Sequence, residues 1–225
     1  MIIISWILEL LYWLLNGLST FVPFDFDHTI ENPKHDTPIV LIHGWMTGNV
    51  LYLPFKKYLE KQGFRVYMPN FGLQMEDLHI YPKVLDSYLK NKQIKNPVLV
   101  GISTGGLVYI EYAQKIDEWK TVKKLITIAT PFRGSYAAYL SVLSKSVKQL
   151  RPNSSYMRYI DDSVEAHPQK VVNIVAKSDQ LVYRSSSTLP GIKTIVIPVI
   201  GHVKLHAFSN MTFEAVARIA RDKEK

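Results

Sequence analysis

Val98-Leu99-Val100-Gly101-Ile102-Ser103-Thr104-Gly105-Gly106-Leu107-Val108-Tyr109-Ile110 is the stretch on which the fold turns. Its opening residues form the apolar run of a strand buried on both faces. From Thr104 the small residues, followed by Leu107 to Ala113, read as a helix. Ser103 stands between them on a sharp strand-to-helix turn, and Gly101 and Gly105 keep the neighbouring segments from clashing. Such a turn lifts Oγ clear of the sheet. The new helix then points its first amides at whatever Oγ attacks. The G-x-S-x-G spacing alone arises by chance in roughly one chain in fifteen of this length. The strand–turn–helix frame gives it weight, as do an acid and a histidine downstream.

Working outward, apolar runs alternate with amphipathic stretches. Strands are expected at Pro38–Ile42, Phe64–Met68, Pro97–Ile102, Lys124–Ile128, Lys170–Ala176 and Lys193–Val199. Helices are expected at Leu51–Gln62, Met75–Asn91, Thr104–Trp119 and Leu205–Lys223. This alternation predicts an α/β fold, a mostly parallel sheet of about six strands with helices on both faces. Reactive groups then belong at the carboxyl ends of the strands. One connection, about 131–168, is too long for a simple crossover. It predicts a short helical lid insertion over the site, against a plain structural excursion.

A serine hydroxyl needs a base, and the base needs an acceptor that fixes its tautomer. Among seven histidines, His202 follows the last expected strand, where a loop would hang over Ser103. His206 is the rival, four residues on in the closing helix. Asp179 comes just after the fifth strand and is the expected acid; Asp161, Asp162 and Glu165 fall inside the insertion. A tetrahedral intermediate also needs donors aimed at its oxyanion. The backbone amides of Thr104 and Trp45 fit, the latter in Leu41-Ile42-His43-Gly44-Trp45. His43 reads as a structural residue of that loop.

The order Ser103, Asp179, His202 and the elements Leu41-Ile42-His43-Gly44 and Gly101-Ile102-Ser103-Thr104-Gly105-Gly106 resemble the α/β-hydrolase superfamily. Ile128-Ala129-Thr130-Pro131 with Arg133-Gly134-Ser135 is similar to the Thr-Pro-x-x-Gly-Ser segment of its small lipases and lipase-like esterases. Leu150-Arg151-Pro152-Asn153-Ser154 resembles a stretch of their lid region. The likeness spans about residues 37–222. It implies Ser103 as nucleophile, Asp179 as acid, His202 as base, the amides of Trp45 and Thr104 as oxyanion hole, and no cofactor or metal. Ile102 stands where those lipases commonly have histidine, and Thr104 where methionine is frequent. The first two strands of the full superfamily sheet are missing, as in its minimal members.

Residues 1–24 form a hydrophobic segment, 25–36 a polar linker, and 37–225 the domain. From Ile2 to Phe24 the only charge is Glu9. The aliphatic and phenylalanine side chains there favour insertion by roughly 6 kcal/mol, and a buried carboxylate offsets roughly 2.5–3.5 of it. Ser5, Glu9, Tyr12 and Asn16 make one polar stripe at helical spacing. Three readings stay open: a membrane anchor, a cleaved signal that would release a secreted protein, or a helix packed on the domain. Pro23 ends the segment. An anchor would be dispensable for hydrolysis of a short soluble ester.

The 225 residues, 47% apolar, suffice for one sizeable core. Absence of cysteine excludes disulfides, thiolate metal sites and a cysteine nucleophile, and leaves the compartment open. The net charge of +8 includes a basic cluster at Arg218, Arg221, Lys223 and Lys225. It suits anionic lipid or a helix end; no nucleic-acid-binding signature accompanies it. Asp25, Asp27, His28, His35 and Asp36 match no familiar metal spacing. The function expected is a membrane-associated serine hydrolase acting on carboxylic esters, with lipid esters as substrates. An acyltransferase using the same acyl-enzyme and a non-catalytic lipid-binding domain are the alternatives, and oligomeric state is left open.

Overall fold

In the computed structural model, which describes residues 2–22, 24–122, 124–140, 142 and 144–221, six strands form one sheet. They are β1 (Ile39–Ile42), β2 (Val66–Tyr67), β3 (Val98–Ile102), β4 (Lys124–Ile128), β5 (Val171–Ser178) and β6 (Lys193–Ile200). All pair in parallel, in the order β2-β1-β3-β4-β5-β6. Every residue of β1 and β3 is buried, so the apolar runs needed no polar alternation. The chain leaves β1 toward the β2 edge and leaves β3 toward β4. Their carboxyl ends therefore open a crevice where the strand order reverses.

Nine helices are described: α1 (Ile2–Ser19), α2 (Leu53–Lys61), α3 (Tyr81–Asn91), α4 (Thr104–Lys115), α5 (Lys145–Gln149), α6 (Ser155–Glu165), α7 (Arg184–Ser187), α8 (His202–Ala207) and α9 (Asn210–Arg221). Side chains alternate along β1. Val40 and Ile42 meet the face covered by α3, α4 and α6, whereas Ile39 and Leu41 meet the one covered by α2, α8 and α9.

Three helix expectations are corrected. The stretch from Met75 opens with a 3₁₀ turn, Leu78–Ile80, and α3 starts only at Tyr81, with Pro82 in its first turn. Proline has no N–H to give inside a helix, so it marks a start. The helix after Ser103 stops at Lys115, where the Asp117 carboxylate accepts from the Thr121 and Val122 amides and turns the chain. The closing helix is two, α8 and α9, divided at Phe208-Ser209, with Ser209 Oγ accepting from the Thr212 amide. Arg218 and Arg221 fall in the last turn of α9. Lys223, Lys225, Pro23 and Leu143 lie outside the described residues.

Helix α1 lies against α8, β6 and the 3₁₀ turn Asn49–Tyr52. Its polar stripe faces inward: Glu9 is 2% exposed, Asn16 Nδ2 donates to Met46 O at 3.1 Å, and Ser19 Oγ accepts from Gly48 N. Its apolar side faces out, with Leu10 70% exposed and Ile4, Ile7, Leu14 and Leu18 alongside. This inverts the ordinary surface helix. Among the described residues no helix is long and apolar enough to cross a membrane. The following segment packs on the sheet edge: Phe26 bridges Met68, the Asp25 carboxylate accepts from Asn70 N, Asp27 pairs with Lys92, and His35 stacks on Phe64.

Candidate active site

Ser103 has φ 51° and ψ −119°, a conformation that costs an L-residue energy and persists only where its surroundings hold it. Here the holding is done by the backbone. The Ser103 amide donates to Ile128 O at 2.8 Å, and its carbonyl accepts from Gly106 N and from Thr130 Oγ1. Thr104 opens α4, so its amide has no acceptor within the helix.

The loop after β1 comes up against this turn. A Cβ on Gly44 would lie 2.9 Å from Ser103 Cβ, so only glycine lets the backbone approach so closely. His43 is fully buried. Its Nδ1 bonds Gly44 O at 2.9 Å and its Nε2 accepts from Phe71 N at 3.1 Å. Burial lowers its pKa to about 4, so the ring is neutral and both nitrogens are spent on structure. Gln74 completes the brace, donating to His43 O and accepting from Thr104 Oγ1.

Asp179 and His202 arrive from the ends of β5 and β6. His202 Nδ1 donates to Asp179 Oδ2 at 2.7 Å, while Oδ1 accepts from the Leu181 and Val182 amides. Because the carboxylate accepts, Nδ1 carries the hydrogen and Nε2 is left as the basic nitrogen. Burial disfavours the imidazolium, but the charge and hydrogen bond of Asp179, with the charge of Glu9, outweigh it. The His202 pKa therefore stands above the ordinary value. His202 is not on a hanging loop. It is the first residue of α8, preceded by Gly201 at φ 117°.

Ser103, Thr104, Trp45 and His202 border one cavity of about 320 Å³ with a mostly apolar lining. Asp179 sits behind His202 and does not border it. Part of the wall comes from the insertion, through Ala138, Leu140, Val147 and Leu150; α6 packs away from the site, on α4. His206 also reaches the cavity, but its Nδ1 meets the Tyr52 hydroxyl at 3.2 Å and, among the described residues, no acid. Burial, then the charge of His202, holds its pKa well below the usual value. Asp161 pairs with Arg133 at 2.9 Å. Among the described residues no three His, Asp or Glu converge as metal ligands.

Sequence reasoning missed Gln74, Gln180, Glu9 and Trp13. Gln180 accepts from the His202 amide, Glu9 accepts from the Val203 amide, and Trp13 lines the cavity with its ring stacked toward His202. The available signal was Glu9 itself, a single carboxylate in an apolar run. Neighbouring residues could not say what it faced.

A family profile described as "Alpha/beta hydrolase of unknown function (DUF915)" matches residues 76–195, rather more than half of the chain. A pimeloyl-[acyl-carrier protein] methyl ester esterase of Pseudoalteromonas atlantica is 38% identical over 98 residues, covering 40% of this chain and 36% of that protein. The AB hydrolase superfamily protein YisY of Bacillus subtilis is 28% identical over 108 residues, 44% of this chain and 40% of its own. The chain thus spans well under half the length of these relatives. Among solved structures, the mature lipase BlEst2 of Bacillus licheniformis superposes with a TM-score of 0.72 at 17% identity, covering 88% of this chain and 98% of that one. The esterase of Exiguobacterium antarcticum gives 0.60 at 15%, covering 88% and 94%. These two likenesses are of fold.

Proposed function

The chain belongs to the alpha/beta-hydrolase family of that description, and from this premise we propose that it hydrolyses carboxylic esters, lipid esters foremost, through an acyl-enzyme on Ser103. The observation that carries the reading is the Asp179–His202 hydrogen bond behind a cavity that Ser103 also borders. Ser103 Oγ attacks the ester carbonyl as its proton passes to His202 Nε2. The oxyanion takes hydrogen bonds from the Trp45 and Thr104 amides. His202 returns the proton to the departing alcohol, then draws one from the water that attacks the acyl-enzyme, and Ser103 is regenerated.

The base works only when neutral. Its pKa lies above 6.5, so kcat/KM for a soluble ester should rise with pH and reach half its plateau above pH 6.5. The linkage to stability runs the other way. The raised pKa stabilises the fold fully below the unfolded value and ceases to as pH rises through the folded one. A rate constant flat between about pH 5 and 8 would remove His202 as the base.

The lipid preference and membrane association rest on the surface beside the cavity. Helix α1 contributes Trp13 and Asn16 to the cavity wall and turns Leu10, Leu14 and Leu18 outward. On the insertion, Leu140 borders the same cavity and is itself 90% exposed. Two elements that wall the cavity thus also carry exposed apolar side chains, as does a helix lying in the plane of a bilayer, and the net charge of +8 suits anionic headgroups.

A panel of esters of graded acyl length, free and in phosphatidylglycerol-containing vesicles, tests both parts. Hydrolysis enhanced at the vesicle surface, with sedimentation lost in a Leu10→Asp/Leu14→Asp variant, is the expected result. Binding without turnover of any ester would leave only a lipid-binding domain. A dimer indifferent to vesicles would assign the apolar face to a second copy of the chain.

A further inference from the structure

We propose that Glu9 is a positioning residue of this site: carried on α1, its carboxylate clamps together the two turns that present Asp179 and His202. Its effect on turnover rests on the hydrolase reading above; the clamp itself rests on geometry. Oε1 accepts from Val203 N at 2.8 Å and from Gln180 Nε2 at 2.9 Å, and Oε2 accepts from Lys204 N at 3.1 Å. Gln180, next to Asp179 in the chain, uses its own Oε1 to accept from the His202 amide at 3.2 Å. The first three amides of α8 are therefore satisfied by one glutamate and the glutamine it holds, a role usually filled by a capping side chain just before the helix.

The residue before α8 is shaped for this. Gly201 has φ 117°, and a Cβ there would fall 2.1 Å from Glu9 Oε2. A side chain at 201 would displace the carboxylate. One turn along α1, the Trp13 ring lies nearly parallel to the His202 ring, centroids 6.4 Å apart. The helix thus supplies both a clamp on the backbone of His202 and a surface beside its ring. The proposal runs against the expectation that residues 1–24 are dispensable for hydrolysis of a soluble ester: with the clamp, their removal lowers that activity too.

Among the described residues the titratable groups around His202 are Asp179 from the β5 turn, Glu9 from α1, and His206 one turn along α8. Glu9→Gln keeps the shape, removes the charge, and sets an NH2 against an N–H donor.

The 225-residue wild type, Glu9→Gln and Ser103→Ala are compared by steady-state kinetics on a short soluble ester, by labelling with a fluorophosphonate, and by NMR titration of His202. For Glu9→Gln we expect kcat to fall about 10- to 100-fold with KM little changed. The acid limb and the NMR midpoint of His202 should both move to lower pH. Wild-type kcat with an unmoved midpoint would overturn the clamp.

If wild type neither turns over esters nor labels at Ser103, the hydrolase reading falls. The NMR midpoint then still judges Glu9, lowered in support and unchanged against. Should Glu9→Gln fail to fold, Gln180→Ala cuts the path to the His202 amide while leaving Glu9 on Val203 and Lys204. Its kcat should drop about 10-fold, and equality with wild type would count against the proposal.

Discussion

Ser103→Ala is expected to lower kcat/KM for a soluble ester by about 10⁴-fold or more and to abolish labelling by a fluorophosphonate. Its thermal midpoint should stay within a few degrees of wild type. The reason is that the strained turn is held through its backbone. The Ser103 amide and carbonyl bond Ile128, Gly106 and Thr130 whatever the side chain is. Alanine at φ 51° meets much the same strain as serine, so the deletion removes an oxygen and little else. Turnover or labelling that survives would place the nucleophile elsewhere.

The second large effect is expected from Asp179→Asn. Two backbone amides, Leu181 N and Val182 N, bond one carboxylate oxygen, and His202 Nδ1 bonds the other. An asparagine therefore settles with its oxygen toward the two amides, because the reverse orientation leaves two donors facing an NH2. Its nitrogen then donates to His202 Nδ1. The ring hydrogen moves to Nε2, the nitrogen that should take the serine proton.

The fold and the Ser103 turn survive, and kcat should fall by about 10⁴-fold. Raising the pH should not restore the rate, because the wrong tautomer persists in the neutral ring. The two tautomers are distinguishable by ¹⁵N chemical shifts of His202. A loss below about tenfold, or recovery at high pH, would show that Asp179 does not set the tautomer.

Much of this site was legible because its signals are local. The turn at Ser103 needs an apolar strand, small residues and a helix start within a dozen positions, and β3 and α4 supply them as written. Gly44 and His43 were legible for the same reason, since a loop that passes so near another backbone has little choice of residue. Asp179 and His202 followed from their places after β5 and β6. The secondary structure of His202 did not. No Ser, Thr, Asp or Asn precedes it to signal a helix start, and the carboxylate that satisfies the amide after it lies 194 residues away in the chain.

Helix α1 shows the boundary most clearly. Its sequence specifies a long apolar helix with one polar stripe, and that much is intrinsic, because helical periodicity sets which residues share a face. Periodicity has no preference about which face turns inward. That was decided by pairing: Glu9, Asn16 and Ser19 found buried donors and acceptors on the domain, and a buried carboxylate is tolerated only where such partners await it. Local chemistry thus determined the strands, the Ser103 turn and the stripe. Only the tertiary structure decided that the stripe would close over Asp179 and His202 and leave the apolar side of the helix to the outside, because hydrogen bonds between residues so far apart exist only once the chain has folded.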